Sequence, residues 1–325
     1  MKAILVQPDK SLVWQEVPDP VCGEREVLIR VQAAAINRAD LMQRAGDYPP
    51  PPGCPEWMGL EVAGEIVACG AQVGDQRQVG QKVCALLGGG GYAEYVAVNW
   101  DMTMPIPAGV SVEEASAMPE AFATAYLNLF IEGNARPGET LLMHAGASGL
   151  ASVVIPMAKA FGLRVITTVL TDAVAASIAH LKADRVIVTG REDPAQVLKE
   201  ELEAGHGVDL TIDCLGGPDM ARCLPYMERG GRWIMIATLA GDTSQVNLKE
   251  MYKRNLRVIG NTLRSRTPEM KAEILGRLVR DVWPMVEAGK VRATVYKVLP
   301  IQRAEEGQAL LMEGKSVGKV VLTVN

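Results

Sequence analysis

The stretch Leu141-Leu142-Met143-His144-Ala145-Gly146-Ala147-Ser148-Gly149-Leu150-Ala151 decides the fold. An apolar strand runs into a loop of small residues. A helical pattern follows over 149–161, Gly162 punctuates it, and a second apolar strand spans 164–169. Strand, tight turn, helix and strand in that order open a dinucleotide-binding unit. The chemistry asks for small residues because the backbone must approach a pyrophosphate closely and the helix must pack tightly on the strand. The N–H groups at the helix N-terminus then meet the phosphate charge. The spacing is Gly146-x-Ser148-Gly149-x-Ala151, with Ser and Ala in two of the usual glycine places. Gly146, Ala147, Ser148, Gly149 and Leu150 are the expected phosphate cradle, and the Ser148 hydroxyl can itself bond a phosphate. The competing explanation is an ordinary tight turn in a ligand-free α/β protein.

Downstream, helical patterns at 173–180, 195–203, 219–228 and 248–254 alternate with strands at 185–188, 208–213, 232–237 and 257–260. This predicts a doubly wound parallel sheet of about six strands. Leu215, just past the strand end at Asp213, is expected at the cofactor. Pro156 falls inside the first crossover helix and is expected to kink it. Upstream, residues 1 to about 100 read as short strands at 3–7, 11–17, 26–35, 59–69, 82–86 and 91–98, an antiparallel, barrel-like domain. Ser111 and Glu114 form a capping box for a short helix that Pro119 is expected to end, with a second helix over 120–131. Pro268 opens a long helix whose apolar residues run from Met270 to Val286, and strands at 294–299 and 319–324 follow. Such a tail belongs with the first domain. The expected organisation is a Rossmann-type domain, 120–262, inserted into a mainly β domain made of 1–119 plus 263–325. The loop Gly46-Asp47-Tyr48-Pro49-Pro50-Pro51-Pro52-Gly53-Cys54-Pro55 is either a stiff spacer or a wall of a substrate cleft.

The chain has 325 residues and a net charge of −5, enough for two domains and without a basic field for nucleic acid or anionic lipid. No uncharged apolar run reaches membrane-spanning length. The N-terminus reads as a strand, not a signal peptide. Six cysteines, at 22, 54, 69, 84, 214 and 223, show no C-x2-C spacing. A reducing, cytoplasmic setting is expected.

Two first-domain stretches complete the pattern. They are Ala35-Ile36-Asn37-Arg38-Ala39-Asp40-Leu41-Met42-Gln43-Arg44-Ala45-Gly46-Asp47-Tyr48 and Gly59-Leu60-Glu61-Val62-Ala63-Gly64-Glu65-Ile66-Val67-Ala68-Cys69-Gly70-Ala71-Gln72-Val73. With the mid-chain glycine loop, Leu263-Arg264-Ser265-Arg266 and Val317-Gly318-Lys319-Val320-Val321, the chain resembles the medium-chain dehydrogenase/reductase superfamily. It is most similar to the zinc-free quinone oxidoreductase, zeta-crystallin-like branch. The resemblance implies a GroES-like catalytic domain around the Rossmann domain. It also implies a homodimer, with the strand 257–260 pairing with its copy.

Zinc-dependent members of that superfamily place Cys at the position of Asn37 and His at the position of Leu60. Neither an amide nor Leu offers the thiolate or imidazole that catalytic zinc prefers, so no metal site is expected. By resemblance, Asn37 lies near nicotinamide and acceptor, and the Tyr48 phenol lines the acceptor site. Met42 stands where some relatives carry a second tyrosine. Asp40 either orients this loop or is an exposed carboxylate at a helix start. Thr124, Leu263, Arg264, Arg266 and Lys319 match positions that approach the cofactor. His144 is expected to be packed scaffolding. At the end of the second nucleotide-domain strand no carboxylate occupies the place that would bond a ribose 2′-OH. Thr171 can bond a 2′-phosphate and Arg191 is the nearest cation, which favours NADPH, with NADH as the alternative; Asp172 would repel that phosphate.

The function expected on these grounds is transfer of hydride from NADPH to a quinone or another small electrophilic acceptor. The alternatives are reduction of an activated C=C bond in an enone or enoyl thioester, and a cofactor-binding protein with a crystallin-like or RNA-associated role. The acidic balance argues against nucleic acid.

Overall fold

The computed structural model describes residues 1–314 and 316–324. Lys315 and Asn325, the last residue of the expected 263–325 segment, lie outside the described residues. The chain forms two compact units. One comprises Met1–Ala123, Arg266–Gly289 and Ala293–Asn325, the other Thr124–Ser265 with Lys290–Arg292. In chain order, the elements up to residue 126 are β1 (Lys2–Val6), β2 (Leu12–Glu16), β3 (Glu26–Ala35), α1 (Arg38–Ala45), β4 (Glu61–Cys69), β5 (Lys82–Leu86), β6 (Tyr95–Asn99), β7 (Thr103–Pro105), α2 (Val112–Ser116) and α3 (Pro119–Tyr126). The second unit alternates β8 (Thr140–Met143), α4 (Ala151–Ala160), β9 (Arg164–Val169), α5 (Asp172–Ser177), β10 (Arg185–Val188), α6 (Pro194–Glu203), β11 (Val208–Asp213), α7 (Pro218–Cys223), β12 (Met227–Met235), α8 (Leu248–Arg254) and β13 (Arg257–Gly260). The remaining elements are α9 (Pro268–Asp281), α10 (Trp283–Glu287), β14 (Val295–Pro300), α11 (Ala304–Met312) and β15 (Lys319–Thr323).

In the first unit β3 is the axis of a seven-stranded sheet, ordered β14-β15-β3-β4-β5-β7, with β6 also on β3. One edge of β3 pairs with β4. The other pairs with β6 through Glu26–Arg30 and with β15 through Ala33–Ala35. The pattern of β3 explains its place: Val27, Ile29 and Val31 turn inward while Arg30 is exposed. These residues pack with Ile4, Ile66, Val83, Val96 and Leu322 in one core.

The second unit is a six-stranded, all-parallel sheet ordered β10-β9-β8-β11-β12-β13, the doubly wound arrangement expected from the alternation. Strand order reverses beside β8, so the loop after β8 stands at the switch point where such sheets bind ligands. Leu142, Ile166, Ile187, Leu198, Val208 and Trp233 form its core.

Proline explains most of the differences from expectation. α2 ends at Ser116, and Pro119 opens α3 instead of ending α2, because a first-turn residue needs no N–H acceptor. α3 passes into a π-helical turn over Leu127–Glu132. The helix expected over 219–228 stops at Cys223. Pro225 sits in a 3-10 turn, and β12 begins already at Met227, not at Arg232. The long helix expected from Pro268 breaks at Val282 because Pro284, in the first turn of α10, has no N–H to continue the ladder. α4, by contrast, runs through Pro156 from Ala151 to Ala160.

Candidate functional site

The second unit presents the loop expected to seat a dinucleotide. The chain leaves β8 at Met143 and turns through Ala145, which adopts a positive φ of 55°. Two threonines at the end of β9 hold the turn. The Gly146 N–H donates to the Thr168 carbonyl at 2.8 Å, and the Ala145 N–H donates to Thr168 Oγ1 at 3.2 Å. A Cβ on Gly146 would lie 2.4 Å from Thr167 Oγ1, which is itself bonded to the Met143 carbonyl. Only glycine fits. Ser148 Oγ accepts from the Ala151 N–H at 3.1 Å and so caps the start of α4, which leaves its own proton to donate outward. First-turn N–H groups of a helix have no intrahelical acceptor. Gly149 and Leu150 bring such groups to the head of α4. The small loop, the Gly149 and Leu150 N–H groups just ahead of α4 and the capping hydroxyl fit a pyrophosphate.

His144 is scaffolding here. It is buried, its ring lies 5.7 Å from that of Trp233, and Nδ1 faces Thr168 Oγ1 at 3.2 Å. Burial pulls its pKa down against the opposing pull of Asp213, so the ring is neutral near pH 7. Asp213 organises the next loop. Its Oδ1 accepts from the N–H groups of Leu215 (2.7 Å) and Gly216 (3.1 Å), and its Oδ2 accepts from Trp233 Nε1 at 3.0 Å. The Leu215 N–H is therefore committed to Asp213.

Thr171 caps α5, its Oγ1 accepting from the Val174 N–H at 3.3 Å. Arg191 stands on the surface, its Nε 3.1 Å from Asp172 Oδ1 and its Nη1 3.3 Å from Glu192 Oε2. Thr124 is half-buried, and its carbonyl accepts from Asn128 Nδ2 at 2.7 Å; Asn128 Oδ1 in turn accepts from Asn261 Nδ2 at 2.9 Å. Leu263 is buried, while Arg264 and Arg266 are half-buried.

The first unit contains a buried polar network. Lys319 Nζ lies 2.6 Å from Glu61 Oε1 and donates to Asn37 Oδ1 at 2.6 Å; Asn37 Nδ2 donates to Glu61 Oε1 at 3.0 Å. Glu61 Oε2 accepts from the Glu120 N–H at 2.9 Å. Asp40, fully buried in the first turn of α1, is the second hub: Oδ2 accepts from the Asn37 N–H (2.7 Å) and the Tyr92 hydroxyl (2.9 Å), and Oδ1 from the Gly59 N–H (3.2 Å). Asp40 thus orients the Asn37 loop and is not an exposed carboxylate. Gly59 has φ 110°, and a Cβ there would meet the Tyr92 backbone nitrogen at 2.5 Å. Burial raises Asp40 to about 6, with its hydrogen bonds opposing. Burial and the Asp40 charge hold Tyr92 well above 10, so it remains a donor. Two expected site residues, Asn37 and Lys319, are thereby brought together. The Lys319 ammonium is bound to Glu61 and Asn37. Tyr48 is half-buried in the bend after α1.

Sequence reasoning missed Asp213, the Thr167-Thr168 pair, Tyr92 and Glu120. A carboxylate and paired threonines at the carboxyl ends of parallel strands were a usable signal. Nothing in the spacing of residues 40, 61, 92, 120 and 319 announced the second network.

Comparison with known proteins agrees with this geometry. Residues 23–108 match the alcohol dehydrogenase GroES-like domain and residues 181–322 the zinc-binding dehydrogenase family. The chain is 25% identical over 319 residues to a quinone oxidoreductase of Mus musculus, covering 97% of this chain and 94% of that protein. It is 29% identical over 322 residues to the synaptic vesicle membrane protein VAT-1 homolog of Rattus norvegicus, covering 93% and 78%. The quinone oxidoreductase from Thermus thermophilus, solved also with NADPH, superposes with a TM-score of 0.83 at 30% identity, covering 100% of both chains. The chain belongs to the medium-chain dehydrogenase/reductase superfamily of NAD(P)-dependent oxidoreductases, in its quinone oxidoreductase branch.

Proposed function

We propose that this chain reduces a quinone with hydride from NADPH and uses no zinc in doing so. The observation that carries this is the state of Asn37. Where zinc-dependent relatives offer a thiolate, this chain offers an amide clamped at one end by Lys319 and at the other by Glu61. Leu60, beside Glu61, offers no donor. This set does not fit a catalytic zinc, which prefers thiolate, imidazole and carboxylate ligands. A quinone ring accepts hydride without a Lewis acid, so the protein has chiefly to hold donor and acceptor in near-attack geometry.

NADPH, when bound, supplies the hydride. The chain's own part is to seat the pyrophosphate on the loop 146–150, with the Ser148 hydroxyl donating to it. Thr171 and Arg191 receive the 2′-phosphate, for which Arg191 exchanges its surface contact with Asp172. Thr124, Leu215, Leu263, Arg264 and Arg266 line the remainder of the cofactor. Lys319 approaches the cofactor beside Asn37, to which its ammonium donates. The Tyr48 phenol donates to a quinone oxygen. β13 is the edge strand of its sheet and leaves Val258 exposed, which supports a homodimer through that edge.

The test is steady-state turnover of 1,4-benzoquinone, 9,10-phenanthrenequinone, an enone and crotonyl-CoA with NADPH and with NADH, before and after treatment with a metal chelator. Chelator-resistant quinone turnover with an NADPH preference is expected. Turnover confined to the enone or thioester, or loss of activity on chelation, would overturn the proposal.

A further inference from the structure

Three carboxyl groups share one buried ammonium in the first unit's network. Both Glu61 oxygens are bonded, Oε1 to Lys319 and Asn37 and Oε2 to the Glu120 N–H. Both Asp40 oxygens are bonded as well, and that carboxyl is sealed from solvent. Glu120 differs. It is the second residue of α3, half-buried, and its backbone is tied to Glu61, yet its own carboxyl makes no hydrogen bond among the described residues. The charges that face it are Glu61, Lys319, Asp40 and Lys271.

We propose that Glu120 is the proton donor to the reduced acceptor. The inference rests on the quinone-reductase proposal above. In the step, hydride transfer reduces the quinone by two electrons and leaves a hydroquinone monoanion. The O–H bond of Glu120 breaks, its proton forms the second O–H bond of the hydroquinone, and the resulting carboxylate takes a proton back from water. Electrostatics support the role. Three ionised carboxylates against the Lys319 and Lys271 ammoniums still leave excess negative charge, which protonation of one relieves. Burial, and then the Glu61 charge, raise Glu120 to about 7, while Lys319 and Lys271 oppose. An acid poised near the working pH suits general acid catalysis.

The test compares wild type, Glu120→Gln and Glu120→Asp. kcat/KM for 9,10-phenanthrenequinone with NADPH is followed from pH 5 to 9, and the protein labelled with 13C in its glutamate carboxyls is titrated by NMR without cofactor. Wild type should lose kcat/KM as pH rises through about 7. Glu120→Gln should lower it by about 100-fold at pH 6 and abolish that ionisation, and Glu120→Asp should keep it. One 13C signal, absent from Glu120→Gln, should titrate near 7. An unchanged pH profile in Glu120→Gln, or a Glu120 signal titrating in the ordinary glutamate range, overturns the inference while quinone turnover by the wild type leaves the earlier proposal standing. If the wild type reduces only the enone, that proposal falls, and the same profiles measured on the enone decide the role of Glu120.

Discussion

Lys319 Nζ and Glu61 Oε1 lie 2.6 Å apart with both side chains essentially removed from solvent, at 6% and 0% exposure. One comes from β15 and the other from β4. Losing one partner of a buried pair strands the other charge and costs about 3–5 kcal/mol, whereas replacing both with apolar groups is often neutral. Lys319→Met should therefore lower Tm sharply. Lys319→Met combined with Glu61→Leu should recover part of the loss, as read by urea denaturation. Equal and additive losses would contradict the coupling.

The Asp40–Tyr92 hydrogen bond sets a pH dependence. The folded-state pKa of Asp40 is raised to about 6 from an ordinary 3.8. The stability it contributes is therefore fully present below about 3.8 and lost as pH rises through about 6. Tyr92→Phe removes a donor to the carboxylate, so Asp40 should rise further and stability at pH 7 should fall by about 1–2 kcal/mol. The mutant's deficit should shrink as pH drops to 5. A deficit constant with pH would show that Tyr92 contributes packing alone.

Gly146→Val should damage both folding and cofactor binding. Its Cβ would press on Thr167 Oγ1 at 2.4 Å, and relief requires the loop to move. Overpacking of this kind costs about 1–3 kcal/mol. Calorimetry should show NADPH affinity reduced by 10-fold or more; unchanged affinity would mean that the loop does not seat the pyrophosphate.

Arg191 and Asp172 provide a test of cofactor choice. The pair is exposed, at 57% and 72%, so breaking it should leave Tm unchanged. Arg191→Ala should weaken NADPH about fivefold, roughly 1 kcal/mol, and leave NADH unaltered. Asp172→Asn should strengthen NADPH. Equal effects on the two cofactors would remove the 2′-phosphate from this surface.

Much of the fold was legible because the signals were local. Val27, Ile29 and Val31 alternate as a half-buried strand must, and the Gly146 loop stands between an apolar strand and a helix in sequence as it does in space. The errors were local too: Pro119, Pro225 and Pro284 mark element boundaries, but a proline does not say on which side of it the helix lies. The small-residue loop after β8 was visible for the same reason as the fold. The polar network was not. Asp40, Glu61, Tyr92, Glu120 and Lys319 meet only after sheet formation, and a burial-raised carboxyl has the same letter as a solvated one. Lys319 shows the cost: its meeting with Glu61 and Asn37 depends on β15 taking its place in the sheet.

The pairing of β3 with β15 also imposes an order of events on synthesis. The second unit's sheet is built from strands contiguous between residues 140 and 260, and all its partners are present once that segment has emerged. The first unit's sheet needs residues 319–323, which follow the whole β8–β13 segment in the chain, before β3 is fully paired and Glu61 has its counter-charge. Domains generally fold as units during translation, and long-range strand pairing is slow because loop closure precedes its reward. The nascent chain therefore carries an unfinished β edge and an unneutralised glutamate until β15 has emerged. That interval is when this protein is most exposed to chaperones and to aggregation.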